Sequence, residues 1–209
     1  MGKGNVANTN TNTSTNVNNR EKIIECALNL FCRKGYESVG VQEICNAACV
    51  TKPTLYYYFK SKYGLLEALL EEKYAEFGYR FESAANSQGD IEAVLYQVAR
   101  AYMEYSSANI MVHQLFTTLE YSPKESEGHK AVSPYVRRMF NAVVGVFNRE
   151  SNALGNMHGR QYLFATSFIG AMMTYILMRY STNSEGESFF ISQSEIYNVL
   201  HQFLHGVYS

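Results

Sequence analysis

The sequence contains no tryptophan and only three prolines in 209 residues, so few residues in it interrupt a helix. Its net charge of −1 excludes a uniformly basic or acidic protein, and a composition of 46% hydrophobic and 18% charged residues is that of a globular chain. No uninterrupted apolar run reaches the ~18 residues of a membrane helix. The N-terminus lacks the apolar segment of a secretory signal. These absences predict a cytoplasmic, all-α protein without a membrane span.

Cysteine is also scarce, and all four cysteines lie near the N-terminus: Cys26, Cys32, Cys45 and Cys49. Their spacing, C-x5-C-x12-C-x3-C, lacks the paired C-x2-C units of a zinc site. Cys26 and Cys45 fall where helix packing accepts a small apolar residue. We therefore predict no metal and no cofactor. A thiol- or metal-responsive use of these cysteines stays open as the alternative.

The near-neutral total hides an uneven distribution of charge. Residues 1–62 carry eight basic and four acidic side chains, a net charge of +4, whereas residues 63–209 carry ten basic and 15 acidic ones, a net charge of −5. A basic N-terminal part on an acidic body indicates an anionic partner for that part.

Hydrophobic periodicity predicts about nine helices in two domains. Residues 1–19, mostly Asn and Thr, have little to bury and are predicted to form a disordered tail. A three-helix domain follows over 20–65, and a larger helical domain over 66–209. The helices are predicted at about 20–34, 41–48, 52–58, 62–84, 91–107, 109–121, 131–152, 160–181 and 193–206.

The second and third helices, separated by the short turn "ACVT", have the pattern of a helix-turn-helix. On a helical wheel of about 100° per residue, Leu55 and Phe59 of the run "TLYYYF" point to the core. Tyr57 points outward, with Tyr56 and Tyr58 on either side of the core face. Tyrosine hydroxyls can donate to DNA phosphates, and an outward ring can pack on base edges. The third helix is therefore predicted to recognise double-stranded DNA.

Residues 23–70 closely resemble the N-terminal domain of the tetracycline-repressor (TetR) family. The resemblance is carried by Leu30-Phe31, Gly35-Tyr36, Ile44, Val50-Thr51-Lys52 and "TLYYYFKSK" at 54–62. It implies a homodimeric repressor whose first three helices bind DNA and whose fourth helix leads to a ligand domain. It also implies phosphate contacts for Thr51, Tyr56, Tyr58 and Lys62, and base or groove contacts for Lys52, Pro53 and Tyr57. With Thr54 these residues form the predicted DNA-binding set.

Two residues depart from the family pattern. Cys49 stands in the turn where the family usually has Gly, and a left-handed conformation there would cost a non-Gly residue of order 1 kcal/mol. We therefore expect an adjusted turn. Gly40 stands where a Ser or Thr often caps the second helix, so one expected side-chain contact with phosphate is lost while the backbone N–H groups stay available.

The eighth predicted helix carries a stripe of small residues, which lets another helix approach closely. Together with the apolar stripe of the last helix it predicts a homodimer through a four-helix interface, although burial of the eighth helix within one chain is the alternative. A two-fold dimer would place two recognition helices about 34–36 Å apart and predicts a palindromic operator. The predicted interface residues are Phe164, Ser167, Gly170, Ala171, Thr174, Val199 and Phe203.

A ligand pocket is predicted among large, adaptable side chains of the fifth to eighth helices, although each is also a candidate core residue: Tyr96, Met103, His113, Phe116, Phe140, Phe147 and Met173. Because this set contains no buried acidic cluster, we expect a drug-sized, mostly apolar or aromatic effector that is neutral or anionic, rather than a metal or a polyamine. Residues 85–209 show no Ser-His-Asp, paired-carboxylate or Gly-rich phosphate pattern, so we predict no catalytic residue and no enzyme.

Overall fold

The computed structural model describes residues 10–149, 159–183 and 188–206, with side chains from residue 19 onward. Within these ranges the secondary structure consists of nine α-helices and no strand, which confirms the predicted all-α fold. The chain divides into two units, Met1–Leu70 and Glu71–Ser209. The helices are α1 Asn10–Lys34, α2 Val41–Ala48, α3 Lys52–Phe59, α4 Lys62–Ala85, α5 Ile91–Ala108, α6 Ile110–Glu120, α7 Glu127–Arg149, α8 Gln161–Ser181 and α9 Gln193–His205.

Helix α1 begins ten residues before the predicted start, so it includes part of the segment expected to be a disordered tail. Once a helix has formed, each further residue adds one hydrogen bond, so α1 can extend into this segment. Because Asn and Thr have low helix propensity, the sequence pattern did not predict the extension. Residues 1–9 of that tail lie outside the described residues.

The first unit has its own apolar core, built from all of its helices. One face of α1 supplies Ile24, Leu28 and Phe31, each less than 5% exposed. Leu55 of α3 is fully buried, and the ring of Phe31 meets that of Tyr36 edge to face at 5.1 Å. This core fixes the position of α3 against α1 and α2.

The turn between α2 and α3 keeps the left-handed conformation at Cys49, with φ 55° and ψ 42°, so the expected adjustment of the turn is wrong. The Cys49 N–H donates to the Asn46 carbonyl at 3.2 Å, and the Val50 N–H donates to the Cys45 carbonyl at 3.0 Å. These bonds satisfy the end of α2 and hold a strained, non-glycine residue in place.

The second unit packs its helices around an aromatic and aliphatic core. Phe81 of α4, Phe147 of α7 and Phe168 of α8 are at most 2% exposed. Asp90 caps the start of α5, because its carboxylate accepts from the Ala93 N–H at 2.8 Å. Helix α9 begins with a capping box between Ser192 and Glu195.

Helix α7 begins at Glu127, four residues earlier than the predicted start. The reason is a cap that the sequence reading missed: the Ser126 hydroxyl accepts from the His129 N–H at 3.1 Å. The predicted end of this helix at 152 lies outside the described residues.

Helix α8 is long and apolar enough in composition to cross a membrane, although only 22% of its most apolar window is buried. The sequence analysis looked for an unbroken apolar run, which α8 does not contain, and so did not single out this helix. Ser167, Thr174 and Arg179 interrupt the apolar run but leave the average hydropathy of the helix high. The core helix of a globular protein can have the same composition.

Candidate nucleic-acid interface and ligand cavity

The run of tyrosines on α3 divides between core and surface as its helical spacing predicts. Leu55 and Phe59 are buried, whereas Tyr57 is 69% exposed and Tyr56 is 42% exposed. Tyr58 is half-buried, and its ring meets the Tyr57 ring edge to face at 5.1 Å. The exposed face of α3 therefore presents two phenol groups that the core does not use.

The start of α3 is held in a fixed geometry by threonine side chains. The Thr51 hydroxyl caps the helix by accepting from the Thr54 N–H at 3.4 Å, and the two hydroxyls lie 2.9 Å apart. Lys52 and Pro53, in the first turn, are exposed. This arrangement brings the Lys52 cation to the helix end where an anion is most favoured.

Lys62 lies beside the loop between α1 and α2, where it makes intramolecular contacts. Its ammonium donates to the Tyr36 and Val39 carbonyls at 3.0 and 3.2 Å and lies 4.2 Å from the Tyr36 ring centroid. Two of its three N–H donors are thus occupied, which leaves one for a phosphate. The structure therefore gives Lys62 a positioning role that the sequence reading did not predict.

The thiols of the first unit differ in exposure. Cys45 is buried, Cys26 and Cys32 are half-buried, and Cys49 is exposed. Burial raises the pKa of Cys32 to about 11 and also raises the pKa of Cys26, so both stay protonated near neutral pH. Across the described residues, no group of three or more His, Cys, Asp or Glu side chains is placed to hold a metal ion.

The second unit contains a cavity of about 320 Å³ between α4, α5, α6, α7 and α8. Most of its wall is aromatic or aliphatic, and eight rings line it: Tyr74, Phe77, Tyr102, Tyr105, Phe116, Tyr121, Tyr135 and Phe140. The polar lining residues are Lys73, Ser106, His113, Thr117, Glu120 and Thr166. A cavity of this size and character suits a small, largely apolar molecule.

Four of the seven predicted pocket residues line this cavity: His113, Phe116, Phe140 and Met173. Two of the others, Met103 and Phe147, are at most 2% exposed and belong to the core. Tyr96 lines a separate depression with Asp90 and Tyr197.

The sequence analysis missed Glu120, which is the acidic residue among those that line the cavity. Helical spacing could have found it, because His113, Phe116, Thr117 and Glu120 follow one another at i, i+3, i+4 and i+7 on one face of α6. The sequence analysis did not assign the tyrosines of α4, α5 and α7 that line the cavity, and only the packing of the helices shows that they enclose a space.

His113 is buried in the cavity wall, at 8% exposure. Burial lowers its pKa to about 4, so the imidazole is neutral at physiological pH. Burial also raises the pKa of Tyr105, to about 12, and that of Tyr102, so both phenols stay protonated.

The residues predicted for a dimer interface differ in exposure. Ser167 and Thr174 are exposed, whereas Gly170, Ala171 and Val199 are half-buried. Phe203 packs on Phe168 at 5.1 Å, and Phe164 packs on Phe147 at 5.9 Å, so both contribute to the core of their own chain. Gly170 also lines the cavity.

Large apolar side chains that the sequence reading did not assign also lie on the surface of α8. Leu163 is 59% exposed and Met178 is 62% exposed. Together with Ser167 and Thr174 they form a surface of α8 that we call the outer α8 face.

Comparison with known proteins agrees with this architecture. Residues 23–69 match the model of the family described as "Bacterial regulatory proteins, tetR family". The first unit carries a TetR-family DNA-binding domain. The matched region contains the second half of α1, all of α2 and α3, and the start of α4, so the likeness to the TetR family rests on the helix-turn-helix unit.

Two curated relatives of the chain are named as regulators. The probable HTH-type transcriptional regulator YttP of Bacillus subtilis (strain 168) is 41% identical over 71 residues, which is 34% of each protein. The HTH-type transcriptional repressor NicS of Pseudomonas putida is 26% identical over 128 residues, 61% of this chain and 58% of NicS. The chain thus covers about a third of the length of YttP and less than two thirds of that of NicS.

A solved structure resembles the chain over most of its length. The transcriptional regulator FadR from Bacillus subtilis, in complex with stearoyl-CoA, has a TM-score of 0.71 at 20% identity, and the alignment covers 90% of this chain and 99% of FadR. At this identity the likeness establishes the fold. Relatives and neighbours alike are transcriptional regulators, a class of proteins that are not enzymes.

Proposed function

We propose that the protein is a homodimeric DNA-binding transcriptional repressor that a small molecule releases from a palindromic operator. The observation that carries the proposal is the exposed aromatic and cationic surface at the start of α3, on a rigid helix-turn-helix. Lys52, Tyr56 and Tyr57 are exposed there, although the core uses only Leu55 and Phe59 of the same helix. The net charge of +4 over residues 1–62 adds electrostatic attraction to DNA.

On this proposal the residues at the surface divide between two kinds of DNA contact. Tyr57, Lys52 and Pro53 face the major groove, where rings and side chains read base edges. Thr51, Tyr56 and Tyr58 contact phosphates, which set the position of the helix without reading sequence. Thr54 and the remaining N–H of Lys62 support these contacts.

The proposed dimer forms through the outer α8 face together with the exposed side of α9. The face is apolar and only partly covered within one chain, and its Ser167 and Thr174 are small enough for a second helix to approach. Covering it in a dimer also suits the proposed cytoplasmic location, since an exposed apolar helix surface would otherwise promote aggregation.

The proposed effector occupies the cavity of the second unit. Stearoyl-CoA bound to FadR is an example of a ligand with a long apolar part in a protein of this fold. Helix α4 is the covalent connection between the units, and its Lys73, Tyr74 and Phe77 line the cavity. A ligand that favours a form with lower DNA affinity lowers that affinity by the same factor, about 5–150-fold for a coupling of ~1–3 kcal/mol.

The experiment begins with selection of bound sequences from random duplexes, followed by footprinting of the best sequence. We expect an inverted repeat. Compounds that raise the thermal midpoint of the protein are then tested for operator release by fluorescence anisotropy. A selection that yields no common sequence would contradict the repressor proposal, and stabilising compounds that all leave operator affinity unchanged would contradict the proposed ligand response.

A further inference from the structure

Two polar atoms in the cavity wall are buried without a hydrogen-bond partner among the described residues: Nε2 of His113 and Oε2 of Glu120. Both residues line the cavity. They stand seven residues apart on α6, which places them on the same side of the helix two turns apart. A carboxylate oxygen that is removed from water without a partner is unfavourable, so this wall favours a ligand that carries a positive charge or hydrogen-bond donors.

The carboxylate of Glu82, which contacts Tyr74 of the aromatic wall, is already paired. Glu82 accepts from the Arg138 guanidinium at 2.7 Å and from the Tyr74 hydroxyl at 3.2 Å. By contrast, the hydrogen-bond contact of Glu120 with His129 involves the backbone carbonyl of Glu120 and not its carboxylate. This carbonyl lies 2.9 Å from Nδ1 of His129. In the described part of the cavity wall, Glu120 is therefore the carboxylate whose charge a ligand can neutralise.

The rings around the cavity also favour a cation. Tyr74 and Tyr135 lie with their ring centroids 4.9 Å apart, and Phe116 lies 6.5 Å from Tyr74 with the two rings nearly parallel. The faces of such rings carry negative electrostatic potential, which attracts organic cations by ~2 kcal/mol or more when water is excluded. His113 does not oppose this attraction, because burial keeps its imidazole neutral.

We propose that the effector of the cavity is an organic cation with bulky apolar substituents, such as a quaternary ammonium or phosphonium ion, whose charge is neutralised by Glu120. This inference rests on the proposed function and specifies the chemical class of its effector. Lys73 also lines the cavity and makes contacts of its own within the protein. An anionic ligand, such as an acyl carboxylate, would instead use Lys73, so the two ligand classes predict opposite effects of changing Glu120.

The test uses two probes of nearly the same shape and opposite charge, tetraphenylphosphonium and tetraphenylborate, in sodium buffer with the full-length protein. Isothermal titration calorimetry should show that the cation binds at least tenfold more tightly than the anion. Glu120→Gln, which keeps the shape of the side chain and removes its charge, should weaken binding of the cation about tenfold, the change that ~1.4 kcal/mol produces. It should strengthen or leave unchanged the binding of the anion.

The control is Glu125→Gln, which removes a carboxylate that is 94% exposed and pairs with Lys130 outside the cavity. It should change neither affinity. Thermal midpoints check that each variant is folded. If Glu120→Gln does not fold, Phe116→Leu provides the test, because loss of the aromatic ring should weaken binding of the cation more than binding of the anion.

Unchanged affinity for the cation in folded Glu120→Gln, or tighter binding of the anion to the wild type, would overturn the proposal. Operator release is measured separately by anisotropy. Cation binding that depends on Glu120 but leaves operator affinity unchanged would support the site and contradict the proposed ligand response. Operator release by neutral or anionic compounds alone would support the proposed function and contradict the cationic effector.

Discussion

Tyr57 is the residue on which proposed sequence recognition most depends, because it is the most exposed ring on α3 at 69%. Tyr57→Ala should cost ~1–3 kcal/mol of binding to the operator and much less on random DNA, since it removes packing against base edges. Tyr79→Ala, which removes a tyrosine of α4 that is 78% exposed, is the matched control and should change neither affinity. Fluorescence anisotropy on both duplexes measures the difference. Equal losses of affinity for both DNAs would show that Tyr57 contacts the DNA backbone and not the bases.

Cys49 stores strain in the turn of the helix-turn-helix. Its φ of 55° is a conformation that glycine adopts without penalty, so Cys49→Gly should raise the free energy of unfolding by about 1 kcal/mol. Cys49→Ala is the control, because it removes the thiol but keeps the Cβ atom that causes the strain. Urea denaturation compares the three proteins. Equal stability of the Gly and Ala variants would show that the turn is not strained.

His113 makes stability depend on pH, because burial lowers its pKa from 6.5 to about 4. Between these values the unfolded chain binds a proton that the folded chain does not, so folded-state stability is lost as the pH falls from about 6.5 to about 4. The loss from this residue approaches about 3 kcal/mol at the lower end.

His113→Gln should therefore flatten the pH dependence of the unfolding free energy in this window. His201→Gln, at an exposed position on α9, is the control and should leave the slope as it is in the wild type. Urea denaturation at a series of pH values provides the measurement. The same slope in wild type and His113→Gln would mean that His113 is accessible to water.

At the scale of elements, α8 carries the proposed dimer interface. Thr174→Arg places a charge in the middle of the outer α8 face, and burying it unpaired should cost about 3–5 kcal/mol of association. Sedimentation should then show the 23.7 kDa monomer instead of a dimer. Thr118→Arg, at an exposed position on α6, is the matched control. A folded Thr174→Arg protein that still sediments as a dimer would place the interface elsewhere.

Gly170, although it belongs to the stripe predicted for the interface, is a less informative position for this test. It lines the cavity, and a side chain there would meet no atom within 4 Å at its Cβ. A bulky substitution at Gly170 would therefore combine effects on the cavity with effects on the dimer.

The helices themselves could be predicted from sequence because each encodes its own boundaries. Asp90 and Ser192 have side chains that cap α5 and α9, and the apolar spacing of α3 fixed which tyrosines face outward. The start of α7 was missed because Ser126 stands in a polar stretch that resembles a loop. The start of α1 was missed because helix propagation into Asn and Thr leaves no pattern in the sequence.

The cavity could be predicted only in part, because periodicity identifies which side chains turn inward but not whether they meet. His113 and Phe140 line the cavity, whereas Met103 and Phe147 point inward on neighbouring helices and pack into solid core. Whether an inward-facing side chain lines the cavity or belongs to the core depends on how several helices pack against one another. The position of Lys62 has the same origin, since the carbonyls that it contacts are 23 and 26 residues away in the chain.

At the scale of the whole molecule, the proposed function requires two copies of α3 to bind one duplex together. Each chain supplies one half-site, and the proposed dimer fixes the separation of the two recognition helices at about one turn of DNA, 34–36 Å. The effector then acts on a single equilibrium shared by both chains, which joins the cavity to the DNA through α4.

Operator affinity as a function of half-site spacing tests this claim most directly. Fluorescence anisotropy compares the selected inverted repeat with a duplex in which five base pairs, about half a helical turn, separate the half-sites further. The insertion should turn one half-site to the opposite face of the DNA and lower the affinity for the operator to that for a single half-site. Equal affinity for the two duplexes would contradict it, because each chain would then bind DNA independently of the other.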